Sequence, residues 1–210
     1  MAKLVHYSKS DSESIADMVC FCARVSNPTN QHNTKTNDKL IRYLMKHHHW
    51  SPFEMVNICM EIRTTRDIAR QILRHRSFSF QEFSQRYATV NEFSYREARL
   101  QDETNRQSSI ETTDEILQAQ WKEYQRRIQN ASAEAYQWAL SHGIAKEQAR
   151  VVLPEGMTAS VIYMNGTLRS WIHYLQIRTR DDTQKEHRLI AIECCKQIAT
   201  IFPEIETCLE

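Results

Sequence analysis

Along the first half of the chain the apolar positions change period several times, and each change marks an element. "KLVHY" is short, apolar and partly β-branched, which predicts a first strand. Ile15, Met18, Val19, Cys22 and Ala23 recur at helical spacing, with Asp11 or Ser12 as the expected N-cap. "SNPTNQHNTKTN" is dense in Asn and Thr and reads as a polar loop. Leu40, Ile41, Leu44 and Met45 form a second helical stripe, halted at "HHHWSP" because Pro52 disfavours helical geometry at Ser51. In "MVNICMEIR" the period falls to two, with Val56, Ile58, Met60 and Ile62 alternating with polar or smaller residues, so a strand with one buried face is expected. The period then returns to helical: Ile68, Ala69, Ile72 and Leu73 share one face, while Arg66, Arg70 and Arg74 line another.

The second half continues in the same manner. Residues 94 to 111 are polar and unpatterned, a predicted surface excursion. Thr112 and Glu115 suggest a capping box before a long helix carrying Ile116, Leu117, Trp121, Tyr124, Ile128, Ala131, Ala135 and Trp138, with Gly143 placed for a left-handed C-cap. "KEQARVVLP" reads as a shorter helix. Alternation of Met157, Ala159, Val161 and Tyr163 predicts a strand, and Leu168, Trp171, Ile172 and Leu175 a helix after it. A last helix is expected over roughly 183 to 201. The class that follows is α+β, a single domain over residues 1–210, rich in helix around a central, mostly antiparallel sheet.

Composition removes several functions. The formal net charge is +1, so arginine clusters are local devices in a balanced chain, which argues against a nucleic-acid partner. No apolar run reaches transmembrane length and the N-terminal residues lack a signal-peptide pattern, so no membrane partner and a cytoplasmic location are expected. The six cysteines, at 20, 22, 59, 194, 195 and 208, match neither zinc-site spacing nor a disulfide framework and read as free thiols. The glycines are Gly143, Gly156 and Gly166, so a glycine-rich phosphate loop cannot occur in the first 142 residues. Any phosphate must be held mainly by side chains, for which arginine is best suited.

That requirement draws attention to "RHRSFSFQEFSQRY", residues 74 to 87, where Arg74, Arg76 and Arg86 lie near Ser79, Glu82 and Ser84. Cations, hydroxyls and one carboxylate suit a nucleotide, against the simpler reading of a solvated charged face. Its phenylalanines are either stacking platforms or core. The triplet His47, His48 and His49 points in divergent directions on a helix, so a helix-end reading is preferred over a metal site. No serine or cysteine has an evident activating base, which favours a reaction without a protein nucleophile.

With these residues in place, the sequence resembles the flavin-dependent thymidylate synthases. It contains the pattern RHRxxSxxExSxRY, and the likeness extends to "HHWSPFE", "QARVVLP" and "NGTLRSWIHYLQIR" in the family's order. Gln81 and Thr167 stand where many members have Asn, and "TRDDTQKE" lacks a histidine found there in some. The resemblance implies FAD as cofactor, NADPH as reductant, methylenetetrahydrofolate as carbon donor, dUMP as substrate, no metal, and a homotetramer with sites at subunit interfaces. It puts Ser51, Arg74, His75, Arg76, Glu82, Thr167, Arg169 and His173 on FAD, some from another chain, with His49 near the flavin and folate. It puts Gln71, Arg74, Glu82, Ser84, Gln85, Arg86, Arg150 and Arg178 on dUMP, Arg178 against the pyrimidine. There a cation would favour ionisation at N3 and so raise electron density at C5. Two other classes compete: a single-stranded nucleic-acid module using the Arg and Phe residues, and a metal-dependent hydrolase using the His-rich segment.

Overall fold

A computed structural model describes residues 1–10 and 14–208 of the chain. It separates into two compact units, the first holding Met1–Ile62, His75–Gln81 and Tyr163–Glu210, the second Arg63–Arg74 and Glu82–Ile162.

The sheet has four strands, β1 (Ala2–Tyr7), β2 (Asn57–Thr65), β3 (Phe78–Glu82) and β6 (Ala159–Thr167), in the order β1-β2-β6-β3. β1 and β2 are antiparallel, pairing Ala2 with Ile62 and Tyr7 with Ile58, with a register shift between Leu4 and His6. The other pairs run the same way. The Tyr163 hydroxyl donates to Glu61 at 3.0 Å and the Arg66 N–H to the Thr158 carbonyl at 3.0 Å, so residue numbers fall on β6 as they rise on β2.

In the first unit α1 (Ile15–Ala23), α2 (Asn37–Lys46), α6 (Leu168–Arg178) and α7 (Lys185–Ala199) enclose an apolar core with β1 and β2. Ile58, Met60, Ile62, Trp171, Tyr174, Phe53 and Phe202 are inaccessible to solvent, and each such aliphatic residue contributes about 1.5–3 kcal/mol through removal from water. Trp171 satisfies its indole N–H by donating to the Ile58 carbonyl at 3.0 Å, which pins α6 to β2. α1 begins at Ile15, the first residue of the predicted pattern. Ser14 is its N-cap, in a capping box with Asp17, while Asp11 and Ser12 lie outside the described residues.

The second unit contains α3 (Arg66–Ile72), the hairpin β4 (Arg99–Gln101) and β5 (Ser109–Glu111), α4 (Glu115–Ser141) and the short α5 (Lys146–Ala149). The predicted excursion thus includes a small antiparallel hairpin. α4 is capped by Asp114, which accepts from the Leu117 N–H at 2.9 Å, in place of the expected Thr112 and Glu115 box. Gly143 takes φ of +76° just past its end, as its position suggested.

For two elements the pattern predicts the type without choosing the buried face. On β6 the buried positions are Ser160, Ile162, Met164 and Gly166, the opposite phase from Met157, Ala159, Val161 and Tyr163. Apolar residues occupy both faces of this inner strand, so alternation alone could not choose between them. On α4 the buried residues are Gln125, Ser132, Tyr136 and Ala139, whereas Ile116, Trp121, Tyr124, Ile128 and Trp138 are exposed, Tyr124 by 60% and Trp138 by 57%. Gln118 and Gln125, two turns apart, use their amides as a strand would. Each accepts the N–H and donates to the carbonyl of one residue, Ala98 and Arg96 respectively, all at 2.8–2.9 Å.

Candidate active site

α3 ends at Ile72, and the chain turns through Leu73 to Ser77 without a glycine before entering β3. The Arg74 N–H bonds the Gln71 carbonyl at 3.3 Å and the Phe78 N–H the His75 carbonyl at 3.3 Å, so two tight turns lead from α3 into β3. Phe78 is buried, edge-on to Trp171 with centroids 4.9 Å apart, so it is core and not a stacking platform. Arg74 and Arg76 remain exposed.

In the first unit the turn brings His75 to the end of α6. Arg178, the last residue of α6, donates from Nε to His75 Nε2 at 2.9 Å. His75 therefore carries its proton on Nδ1 and is neutral. Burial, then the Arg178 and His173 charges, hold its pKa down to about 4. Nearby a cavity of about 580 Å³ is lined by His48, Trp50, Glu54, Ser77, Thr167, Arg169, Ser170, Ile172, His173 and Gln176. Thr167 is the N-cap of α6, accepting from the Ser170 N–H at 3.2 Å, and Arg169 forms an ion pair with Glu54. Ser51 opens the 3₁₀ turn Ser51–Met55, whose Glu54 lines the same cavity. His47 and His49 both pack on Tyr43, with centroids 4.3 Å and 5.9 Å away, and His48 adopts φ of +57°. Among the described residues no three His, Cys, Asp or Glu side chains converge as metal ligands.

The second unit gathers the remaining polar groups. Gln71 and Arg74 lie at the end of α3. Glu82 closes β3, accepting from the Ser160 hydroxyl at 2.8 Å and pairing with Arg66 at 3.3 Å. Ser84 begins a turn in which its carbonyl accepts the N–H groups of Tyr87 and Ala88. Gln85 is buried with its Nε2 unpartnered, a costly state for an amide unless a ligand meets it. Arg86 pairs with the Glu147 carboxylate at 3.2 Å and Arg150 donates to the Glu147 carbonyl at 3.2 Å, so one residue anchors both cations. Lys146 adds a bond to the Tyr87 carbonyl at 2.8 Å.

Residue by residue, the predicted set thus divides into Ser51, His75, Arg76, Thr167, Arg169, His173 and Arg178 in one unit, and Gln71, Arg74, Glu82, Ser84, Gln85, Arg86 and Arg150 in the other. Sequence reasoning missed their supports: Glu54, Glu147, Ser160, Tyr174 and His187. Glu147 was not detectable from spacing, since its carboxylate meets Arg86 from a distant segment and only its backbone carbonyl meets Arg150. Ser160 and His187 carry no local signal, because their partners lie far away in the sequence or on another helix.

A helix-rich α+β chain with an arginine-histidine turn meeting a helix-end arginine defines a class, and residues 3–204 match the family described as thymidylate synthase complementing protein. The chain belongs to that family. It is 46% identical to a probable flavin-dependent thymidylate synthase of Paramecium bursaria Chlorella virus 1, over 100% of this chain and 98% of that relative. It is likewise 46% identical to the flavin-dependent thymidylate synthase of Synechocystis sp. (strain PCC 6803), covering 92% and 88% of the two chains. Among solved structures, a UMP/dUMP methylase PolB from Streptomyces cacaoi bound with 5-Br dUMP superposes with a TM-score of 0.85 at 29% identity, over 99% of this chain and 93% of that one.

Proposed function

We infer that this chain is a flavin-dependent thymidylate synthase, an enzyme of the methyltransferase class that converts dUMP to dTMP. The observation that carries the reading is the bond between Arg178 and His75, which unites the two most specific motif segments across 103 positions of sequence. FAD is the cofactor, with methylenetetrahydrofolate as carbon donor and NADPH as reductant.

The residues present fit a flavin. The 580 Å³ cavity has apolar walls at Trp50 and Ile172 and polar groups at His48, Ser77, Arg169 and His173, the lining expected for a planar ring with hydrogen-bonding edges. Thr167, Arg169 and His173 would reach it from one chain, and Ser51, Arg74, His75, Arg76 and Glu82 from another. Bound there, FAD supplies the hydride of the reduction.

The protein's own groups handle the nucleotide. Arg178, fixed through Nε, offers its terminal N–H groups to the pyrimidine, where a positive charge stabilises the anion formed by loss of the N3 proton and so enriches C5. Arg86 and Arg150, held by Glu147, with Ser84, Gln71 and Arg74, hold the phosphate and sugar, and the buried Gln85 amide finds its partner there. Glu82, oriented by Ser160 and Arg66, accepts hydrogen bonds from either ligand. The reading assigns no protein nucleophile, supported by burial that raises the Cys20 and Cys195 thiols to about 11 and pushes Cys59 and Cys194 up as well.

The enzyme works as a homotetramer with sites at subunit interfaces, a reading supported by the exposed Trp121, Tyr124, Ile128 and Trp138 of α4, which a second copy would cover. Its location is cytoplasmic, consistent with a described chain in which no helix is long and apolar enough to cross a membrane.

The decisive test is the visible absorbance of the purified protein, before and after anaerobic NADPH with and without dUMP. An oxidised-flavin spectrum that bleaches is expected. A colourless protein that takes up no added FAD would overturn the reading.

A further inference from the structure

The His75–Arg178 pair rests on a second layer that the nucleotide and flavin assignments leave unused. Tyr174 lies one turn before Arg178 on α6, and His187 is the third residue of α7; both are fully buried. The rings of His75 and Tyr174 meet nearly perpendicular, centroids 5.0 Å apart and planes at 82°. His187 stands 6.3 Å from His75 at 89°, and its Nε2 is 3.2 Å from the Tyr174 hydroxyl. A purely space-filling pair would need neither a phenol nor an imidazole at this depth.

The protonation states are consistent with one another. Burial raises the Tyr174 pKa well above its ordinary value, so the phenol keeps its proton and shares a hydrogen bond with His187 Nε2, whose direction follows the imidazole tautomer. Burial, then the Arg178 and His75 charges, hold His187 down to about 3. Both imidazoles are therefore neutral at physiological pH. An unbroken line of contacts runs from α7 through His187 and Tyr174 to His75, and ends at the Arg178 guanidinium. A bond at Nε restrains the planar guanidinium and with it the directions of its other two nitrogens.

We propose that Tyr174 and His187 are positioning residues for Arg178: the buried phenol and imidazole clamp the His75 ring, and His75 sets the plane in which Arg178 faces the pyrimidine. This rests on the assignment of Arg178 to the substrate. The groups facing His75 are Arg178, His173 and Tyr174 from α6 and His187 from α7, with Arg76 beside it in its own turn. Protonating His75 would set one donor against another and release Arg178.

The test uses the FAD-loaded enzyme and three variants, Tyr174→Phe, His187→Phe and His187→Gln, with Arg178→Ala for reference. Flavin content, dUMP KM and kcat against pH are measured, together with the His75 ring titration followed by NMR. The two Phe variants should keep their flavin and lose kcat by roughly ten- to a hundredfold with little change in KM, the size of effect expected when a reacting group is displaced by about an ångström. Their His75 pKa should rise from about 4 toward the ordinary histidine value as the ring leaves Arg178, carrying the acid limb of kcat with it. His187→Gln, whose amide can either accept from or donate to the phenol, should recover part of the loss. Tyr174→Phe removes a single oxygen, so its result stands even where a His187 variant fails to fold. Wild-type kcat and an unmoved His75 titration in Tyr174→Phe, beside a crippled Arg178→Ala, would overturn the clamp. Wild-type turnover by Arg178→Ala would instead overturn the role of Arg178, and the NMR titration would still decide whether Tyr174 and His187 hold His75.

Discussion

Arg178 carries the largest single prediction at the scale of one residue. Replacing it with Ala removes the only cation bonded to His75 among the described residues and should lower dTMP formation by about 10²- to 10³-fold, as expected for loss of one charge-stabilising donor; single-turnover assays with dUMP would measure it. The two neutral histidines also make stability depend on pH. Both have pKa values depressed in the folded state, to about 4 for His75 and about 3 for His187, against about 6.5 when unfolded. Below about pH 6.5 the unfolded chain binds more protons than the folded one, so stability present above that pH is lost progressively as pH falls toward 4 and then 3. Thermal melts at pH 7, 6, 5 and 4 should show a falling Tm, and Tyr174→Phe, by loosening His75, should flatten the dependence.

At the scale of an element, β6 and α4 show two different reasons why a pattern misleads. Both faces of β6 carry apolar residues, and the buried phase is set by Gly166, which lies beneath the Phe78 ring on the neighbouring strand. A Cβ at Gly166 would overlap the Phe78 ring atoms, and that ring is itself wedged against Trp171 and Tyr174. Gly166→Ala should therefore cost about 1–3 kcal/mol by overpacking, seen as a lower denaturation midpoint. α4 is the helix its pattern predicts, yet the large apolar residues Ile116, Trp121, Tyr124, Ile128 and Trp138 of that pattern are exposed, and glutamines bond the neighbouring segment. The proposed assembly accounts for this. Tyr124→Glu with Ile128→Glu should shift the protein from tetramer to smaller species in light scattering, because two charges buried against a second copy would lack partners.

For the whole molecule, replacing all six cysteines should leave turnover intact provided the fold survives, which activity and circular dichroism of the substituted enzyme would check. The described thiols are free, and Cys20, Cys59, Cys194 and Cys195 are buried, so they serve packing. Much of this architecture was legible without coordinates. The change from period two at Ile58–Ile62 to helical spacing at Ile68–Ile72 located β2 and α3, and Leu168, Trp171, Ile172 and Leu175 identified the buried face of α6. These follow from local geometry, since side-chain direction repeats every two residues in a strand and every 3.6 in a helix. The chemical types were legible as well: a chain with no glycine before residue 143 has to meet phosphate with side chains, and its arginines are grouped accordingly. What depended on tertiary structure was every long-range partnership: Arg178 with His75, Glu82 with Ser160, Tyr174 with His187, and the phase of β6. Periodicity states which way a side chain points from its own backbone; the group it meets depends on how separate elements pack.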